Sequence, residues 1–162
     1  MSVELITESS PALVRAMERL IPQLSRSAQP LDAEATARFV AQPSVHVFVF
    51  RSGEAPAPTS CADANERVED DSRPILGMLS LATFEIPTGV RAWIEDVVVD
   101  SEARGQGAGQ ALVEAALAHA KSLGARTVDL TSRPSREAAN RLYRRCGFEQ
   151  RETNVYRVTL VK

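Results

Sequence analysis

The chain predicts an α/β (α+β) fold. Segments of strand and helix character alternate along its 162 residues. One apolar strand-like stretch, residues 94–99, leads through a glycine-rich loop at 104–109 into an amphipathic helix. The composition, 44% hydrophobic and 25% charged, is that of a globular chain able to bury a substantial core, and the length suits one domain.

Each element has a local reason. Residues 3–7 alternate as a first strand. Ser9 or Ser10 can cap the next helix, with Pro11 in its first turn and Leu13, Met17, Leu20, Ile21 and Leu24 at helical spacing. Pro30 breaks the chain, and Asp32 can cap a second helix carrying Ala35, Phe39 and Val40, which Pro43 ends. Strands are predicted at 46–50, 75–84 and 92–100, the last apolar enough in its second half to be central. After the glycine loop, Ala111, Leu112, Ala115, Ala116, Ala118 and Ala120 make a small-residue helix with Gly124 as its C-cap. A strand at 127–131, a helix at 136–146 stopped by Gly147, and closing strands at 148–151 and 155–161 complete the order, with no internal repeat.

Residues 52–74 interrupt this pattern. They are rich in Pro, Ala, Ser and acid, including Asp63, Glu66, Glu69, Asp70 and Asp71, and bury too little apolar surface to order themselves. A mobile, solvated hairpin connection is expected, with a lid or partner loop as the functional alternative.

Bulk properties exclude several classes. A net charge of −2 offers no basic field for nucleic acid. No apolar run approaches the length of a membrane span, and the N-terminus lacks a basic-then-apolar signal pattern. Cys61 and Cys146 make neither a disulfide framework nor a metal-ligand cluster. A cytoplasmic protein without a metal is expected.

The glycine loop carries the first functional inference. Free N–H groups at a helix N-terminus attract anions, and glycine lets the main chain approach a phosphate. A dinucleotide fingerprint is one candidate, since Asp129 lies where a ribose-binding acid would sit. Its spacing fails: the glycines are Gly105, Gly107 and Gly109, and the fingerprint needs glycine at Gln110. Arg104-Gly-Gln-Gly-Ala-Gly109 instead fits [Arg/Gln]-x-x-Gly-x-[Gly/Ala]. With that loop, with Leu142-Tyr143 followed by Gly147-Phe148, and with two helices after the first strand, the chain resembles the GNAT superfamily of acetyl-CoA-dependent N-acetyltransferases.

The resemblance implies a single GNAT domain over 1–162 with a mixed, mostly antiparallel sheet, splayed near Val97–Val99 and covered by helices on both faces. It implies acetyl-CoA as co-substrate and direct transfer of its acetyl group to a primary amine. The loop residues Arg104, Gly105, Gln106, Gly107, Ala108, Gly109 and Gln110 would then hold the coenzyme A pyrophosphate. The main chain of Val97, Val98 and Val99 would pair with pantetheine while their side chains pack in the core. Tyr143 matches the family tyrosine that protonates the departing thiolate; the alternative is a core tyrosine. Glu95 or Asp96 would assist the amine, and which faces the cleft depends on a bulge. Arg136 stands where many members have asparagine, so Asn140, one turn later, is the candidate for a pantetheine contact and Arg136 for a phosphate.

Other groups read as structural. His46 and His119 sit within a strand and a helix, and Cys146 packs under its helix. Arg133, Arg136, Arg141, Arg144, Arg145 and Arg151 make a solvated basic surface, a few of which could attract the polyanionic cofactor. The final strands could pair across a homodimer, as GNAT proteins often do. A non-catalytic acyl-CoA sensor is the alternative function, distinguished by tight binding without turnover. The acceptor amine is not encoded in any readable motif.

Overall fold

The computed structural model describes residues 2–25, 27–53 and 73–160. Its elements are β1 (Ser2–Ile6), α1 (Pro11–Leu24), α2 (Ala33–Val40), β2 (Val45–Arg51), β3 (Ile75–Ile86), β4 (Gly89–Val99), α3 (Ala108–Ser122), β5 (Thr127–Asp129) and α4 (Glu137–Arg145). The five strands form one sheet in the order β1-β2-β3-β4-β5. Every pair is antiparallel except β4–β5, which is parallel.

The caps are those the sequence offers. The Ser10 hydroxyl accepts from Leu13 N–H at 3.2 Å, with Pro11 opening α1, and Asp32 Oδ1 accepts from Ala35 N–H at 2.8 Å. Pro22 lies inside α1, where it supplies no N–H to the carbonyl of Glu18, and α1 ends at Leu24, two residues on.

Two hydrophobic clusters sandwich the sheet. α1 buries Leu13, Met17 and Leu20 against Val47, Val49, Met78 and Val98 on one face. α3 buries Leu112, Val113, Ala116 and Ala120 against Phe48, Phe50, Leu79 and Leu81 on the other, with Tyr143 of α4. Each large side chain buried this way contributes about 1.5–3 kcal/mol. The alanines of α3 let its axis lie close to the sheet.

The root of the 52–74 connection is fastened. Ser52 N–H donates to Pro74 C=O at 3.3 Å, and Glu4 of β1 accepts from Arg51 at 2.8 Å and from Arg73 at 2.9 Å. Residues 54–72, and with them most of the expected mobile connection, lie outside the described residues.

The closing strands expected at 148–151 and 155–161 do not form: residues 148–160 hold no strand, and residue 161 lies outside the described residues. Their alternation suits a strand, but a strand needs a paired edge, and no edge of this sheet takes them. Val155, Tyr156, Val158 and Leu160 are consequently 70–89% exposed. β5 also stops at Asp129, short of the expected Thr131.

Candidate active site

The site begins at a fault in β4. Ser80 pairs with Glu95 and Met78 with Val98, so two residues, Asp96 and Val97, face the single Leu79. This is a β-bulge, and Asp96 takes the left-handed conformation, φ 53°, that non-glycine residues seldom adopt. The extra residue reverses the facing of the strand. Before it, Ala92 and Ile94 pack on the α3 side; after it, Val98 packs on the α1 side, while Val97 and Val99 turn to α3.

The bulge settles where the two acids lie. Both are exposed. Asp96 lines a cavity of about 420 Å³ beneath α1, together with Met78, Ser80 and Arg133. Partial desolvation at the cavity wall, and then the neighbouring charge of Glu95, push the Asp96 carboxyl above its ordinary range. Glu95 accepts from Trp93 Nε1–H at 2.9 Å.

The same strand has an open edge. β4 pairs with β5 only from Arg91 to Trp93, opposite Thr127 to Asp129. Past Trp93, among the described residues, residues 94–99 have β3 on one side and no strand on the other. The expected splay at Val97–Val99 is this divergence.

At the end of β4, Asp100 turns the chain. Its carboxylate accepts from Glu102 N–H at 3.2 Å, capping a 3-10 turn at Ser101–Ala103, and from Arg19 of α1 at 2.8 Å. Arg104 follows, exposed. Gly105 and Gly107 have φ of 80° and 79°, so glycine is required there by backbone conformation, and a Cβ on either would meet nothing within 4 Å. Gly107 is the N-cap of α3, whose first turn receives no side-chain cap. Gly109 serves packing instead: a Cβ there would lie 3.0 Å from Leu142 of α4.

The side chains around these glycines turn away from the open space or are engaged. Gln106 donates to Glu102 C=O at 3.0 Å, Gln110 donates to Glu114 at 2.8 Å, and Ala108 is buried. The loop therefore offers mainly N–H groups and a positive helix end, an arrangement suited to a phosphate.

α4 brings the remaining candidates. Tyr143 is 7% exposed, edge-on to Phe148 at 6.0 Å, in the α3-side core. Burial pushes its phenol up; the Arg136 charge opposes this and the Glu95 charge adds to it. Asn140 Nδ2 donates to the carbonyls of Arg133 at 3.0 Å and Pro134 at 3.4 Å, so its N–H groups hold the turn before α4. Arg136 is the exposed N-cap of α4 and provides no side-chain cap. Cys146 packs against the same core, its thiol pushed up first by burial.

Sequence reading missed three residues here. Asp100 before Ser-Glu is a legible turn cap, but its partner Arg19 is 81 residues away. Ser80 gave no signal; its hydroxyl is buried without a partner. Arg133 was read as basic surface or as one of several arginines facing the cofactor, not as part of a cavity wall.

These elements match known proteins. Residues 24–148 match the Acetyltransferase (GNAT) family.

The chain belongs to the GNAT family of acetyltransferases.

A 61-residue stretch is 39% identical to an uncharacterized N-acetyltransferase of Methanocaldococcus jannaschii, covering 38% of this chain and 27% of that protein. Over nearly full length the GNAT fold is similar to three solved structures. A putative acetyltransferase from Agrobacterium tumefaciens is 21% identical with TM-score 0.73, over 98% of this chain and 100% of that one. An aminoglycoside acetyltransferase from an uncultured soil metagenomic sample is 20% identical with TM-score 0.75, over 99% and 96%. Glucosamine-6-phosphate N-acetyltransferase from Arabidopsis thaliana is 20% identical with TM-score 0.67, over 98% and 99%. At these identities the likeness concerns the fold. No helix among the described residues is long and apolar enough to cross a membrane.

Proposed function

We propose that this chain is an acetyl-CoA-dependent N-acetyltransferase that moves the acetyl group by direct attack of a primary amine. The observation that carries the proposal is the continuity of the unpaired β4 edge with the uncapped N-terminus of α3. One accepts a peptide-like arm along its main chain, and the other accepts a pyrophosphate a short distance away.

In this reading the main chain of Val97, Val98 and Val99 binds pantetheine, and the N–H groups of the loop from Gly105 to Gly109 bind the pyrophosphate. Arg104 and Arg136, both exposed, add positive charge for the phosphates. Bound acetyl-CoA supplies the thioester carbonyl. Asp96, whose raised pKa brings it nearer to a working base, takes a proton from the acceptor ammonium, with Glu95 beside it. The amine nitrogen then bonds to the acetyl carbon as the carbon–sulfur bond breaks, and the second proton that nitrogen sheds in becoming an amide passes through water to restore Tyr143. Tyr143, kept protonated by its burial, gives its proton to the leaving sulfur.

The apolar tail, with Tyr156 and Leu160 nearly fully exposed, supports association of two copies through this segment. The catalytic proposal is tested by Tyr143→Phe, which should lower kcat about 10- to 1,000-fold. Tight acetyl-CoA binding with no turnover on any amine would favour a sensor.

A further inference from the structure

The cavity beside the bulge has a composition that selects its occupant. Met17, Ile21, Leu24, Leu31, Phe39 and Met78 supply apolar walls. Among the described residues, the charged groups lining it are Asp96 and Arg133; Ser25 and Gln29 add neutral polar groups. Neither charged group enters an ion pair among the described residues. Ser80 also lines the space, 6% exposed, with its hydroxyl unpartnered. An orphaned buried hydroxyl is disfavoured, and a polar group of a ligand removes that cost.

We infer that the acceptor is a hydrophobic α-amino acid, its ammonium held at Asp96 and its carboxylate at Arg133. This rests on the N-acetyltransferase reading and narrows it to a substrate class. One acid can neutralise one ammonium. A polycationic aminoglycoside would leave further ammonium groups facing apolar walls, where an unpaired charge is strongly disfavoured. A sugar phosphate would set hydroxyls against the same walls, with one guanidinium for its doubly charged group. A side chain such as that of leucine, methionine or phenylalanine gains from those walls. The volume of about 420 Å³ lies in the lower part of the range for small-molecule pockets. The left-handed turn at Asp96 has a use in this scheme: the bulge directs the carboxylate into the cavity, next to the open edge of β4.

The test uses the full chain with acetyl-CoA and measures thiol release against L-phenylalanine, L-leucine, phenethylamine, kanamycin and glucosamine 6-phosphate. The amino acids should exceed kanamycin and the sugar phosphate at least tenfold in kcat/KM. Arg133→Gln alters an exposed side chain, and should lower the ratio of kcat/KM for L-phenylalanine over phenethylamine about tenfold, as loss of one charge-assisted hydrogen bond would. L-Phenylalanine should also raise the unfolding temperature of the CoA-bound protein. Preference for kanamycin or the sugar phosphate, or an unchanged ratio in Arg133→Gln, overturns the substrate class and leaves the transferase reading standing. Acetyl-CoA binding with no acceptor used and no L-phenylalanine shift overturns the substrate class and favours a sensor. Absence of acetyl-CoA binding removes the transferase reading itself.

Discussion

Arg19 Nε donates to Asp100 Oδ2 at 2.8 Å, joining α1 to the residue that ends β4 and opens the glycine loop. Arg19 also donates to the carbonyl of Ile75, so one guanidinium ties α1 to the start of β3 and to the end of β4. Asp100 is buried, so removing Arg19 strands its carboxylate, whereas Arg19 is partly exposed and keeps its bond to Ile75.

Asp100→Asn should therefore destabilise the fold by about 1–3 kcal/mol and weaken acetyl-CoA binding. The hydrogen bond from Arg19 outweighs burial and holds the Asp100 carboxyl below its ordinary value of 3.8. A depressed folded pKa contributes stability that is fully present above the unfolded pKa and is lost as pH falls through the folded one. Denaturant titrations should show a constant gap between wild type and Asp100→Asn at neutral pH. The gap should begin to narrow as the pH falls below 3.8 and close only below the lower folded value.

The glycines should separate by mechanism. Gly109→Val should destabilise by about 1–3 kcal/mol through overpacking against Leu142, and Leu142→Ala should restore part of that loss. Gly107→Trp meets open space, so the protein should still fold, paying about 1–2 kcal/mol for the left-handed backbone. That variant should lose acetyl-CoA affinity, measured by calorimetry. Unaltered affinity in folded Gly107→Trp contradicts the pyrophosphate assignment.

His46 and His119 form a second pH-dependent contact. Their ring nitrogens are 3.1 Å apart, and His46 also meets Thr83 at 3.2 Å, linking β2, β3 and α3. Burial first, and the His119 charge second, lower the His46 pKa below 6.5. Protonating His46 places a charge on a ring that burial keeps neutral. Because the folded pKa is depressed, the stability is present above 6.5 and lost as pH falls through the lower folded value. His46→Phe should reduce the drop in unfolding temperature between pH 7.5 and pH 5; an unchanged drop places the acid sensitivity elsewhere.

The exposed tail gives an assembly prediction. If two copies pair through residues 148–160, light scattering should give twice the chain mass, and Tyr156→Asp with Leu160→Asp should yield a monomer. A wild-type monomer at high protein concentration contradicts this.

Much of the fold was legible because it rests on local chemistry. Ser10 and Asp32 cap helices, Pro11 starts one, and the apolar runs of β2 and β3 mark them as strands covered on both faces. The closing strands were not legible as absent, because alternation at Val155 to Leu160 records strand propensity and not whether an edge is available. At the site, the loop was readable from three glycines, yet their separate roles were not: conformation at Gly105 and Gly107, contact with Leu142 at Gly109. The facing of Glu95 and Asp96 depended on a bulge, which no periodicity announces. The orphan hydroxyl of Ser80, the Arg19–Asp100 pair and the place of Arg133 on the cavity depend on tertiary contacts between distant segments.

Thermal unfolding with acetyl-CoA, beside NAD as control, tests the central claim most directly. A ligand at 100 times its Kd that binds only the folded state adds about 2.7 kcal/mol, or roughly 5–10 °C in Tm for a chain of this size. A shift of that order with acetyl-CoA, and none with NAD, is the expected result. No shift at acetyl-CoA concentrations far above micromolar, or a shift with NAD alone, would contradict it.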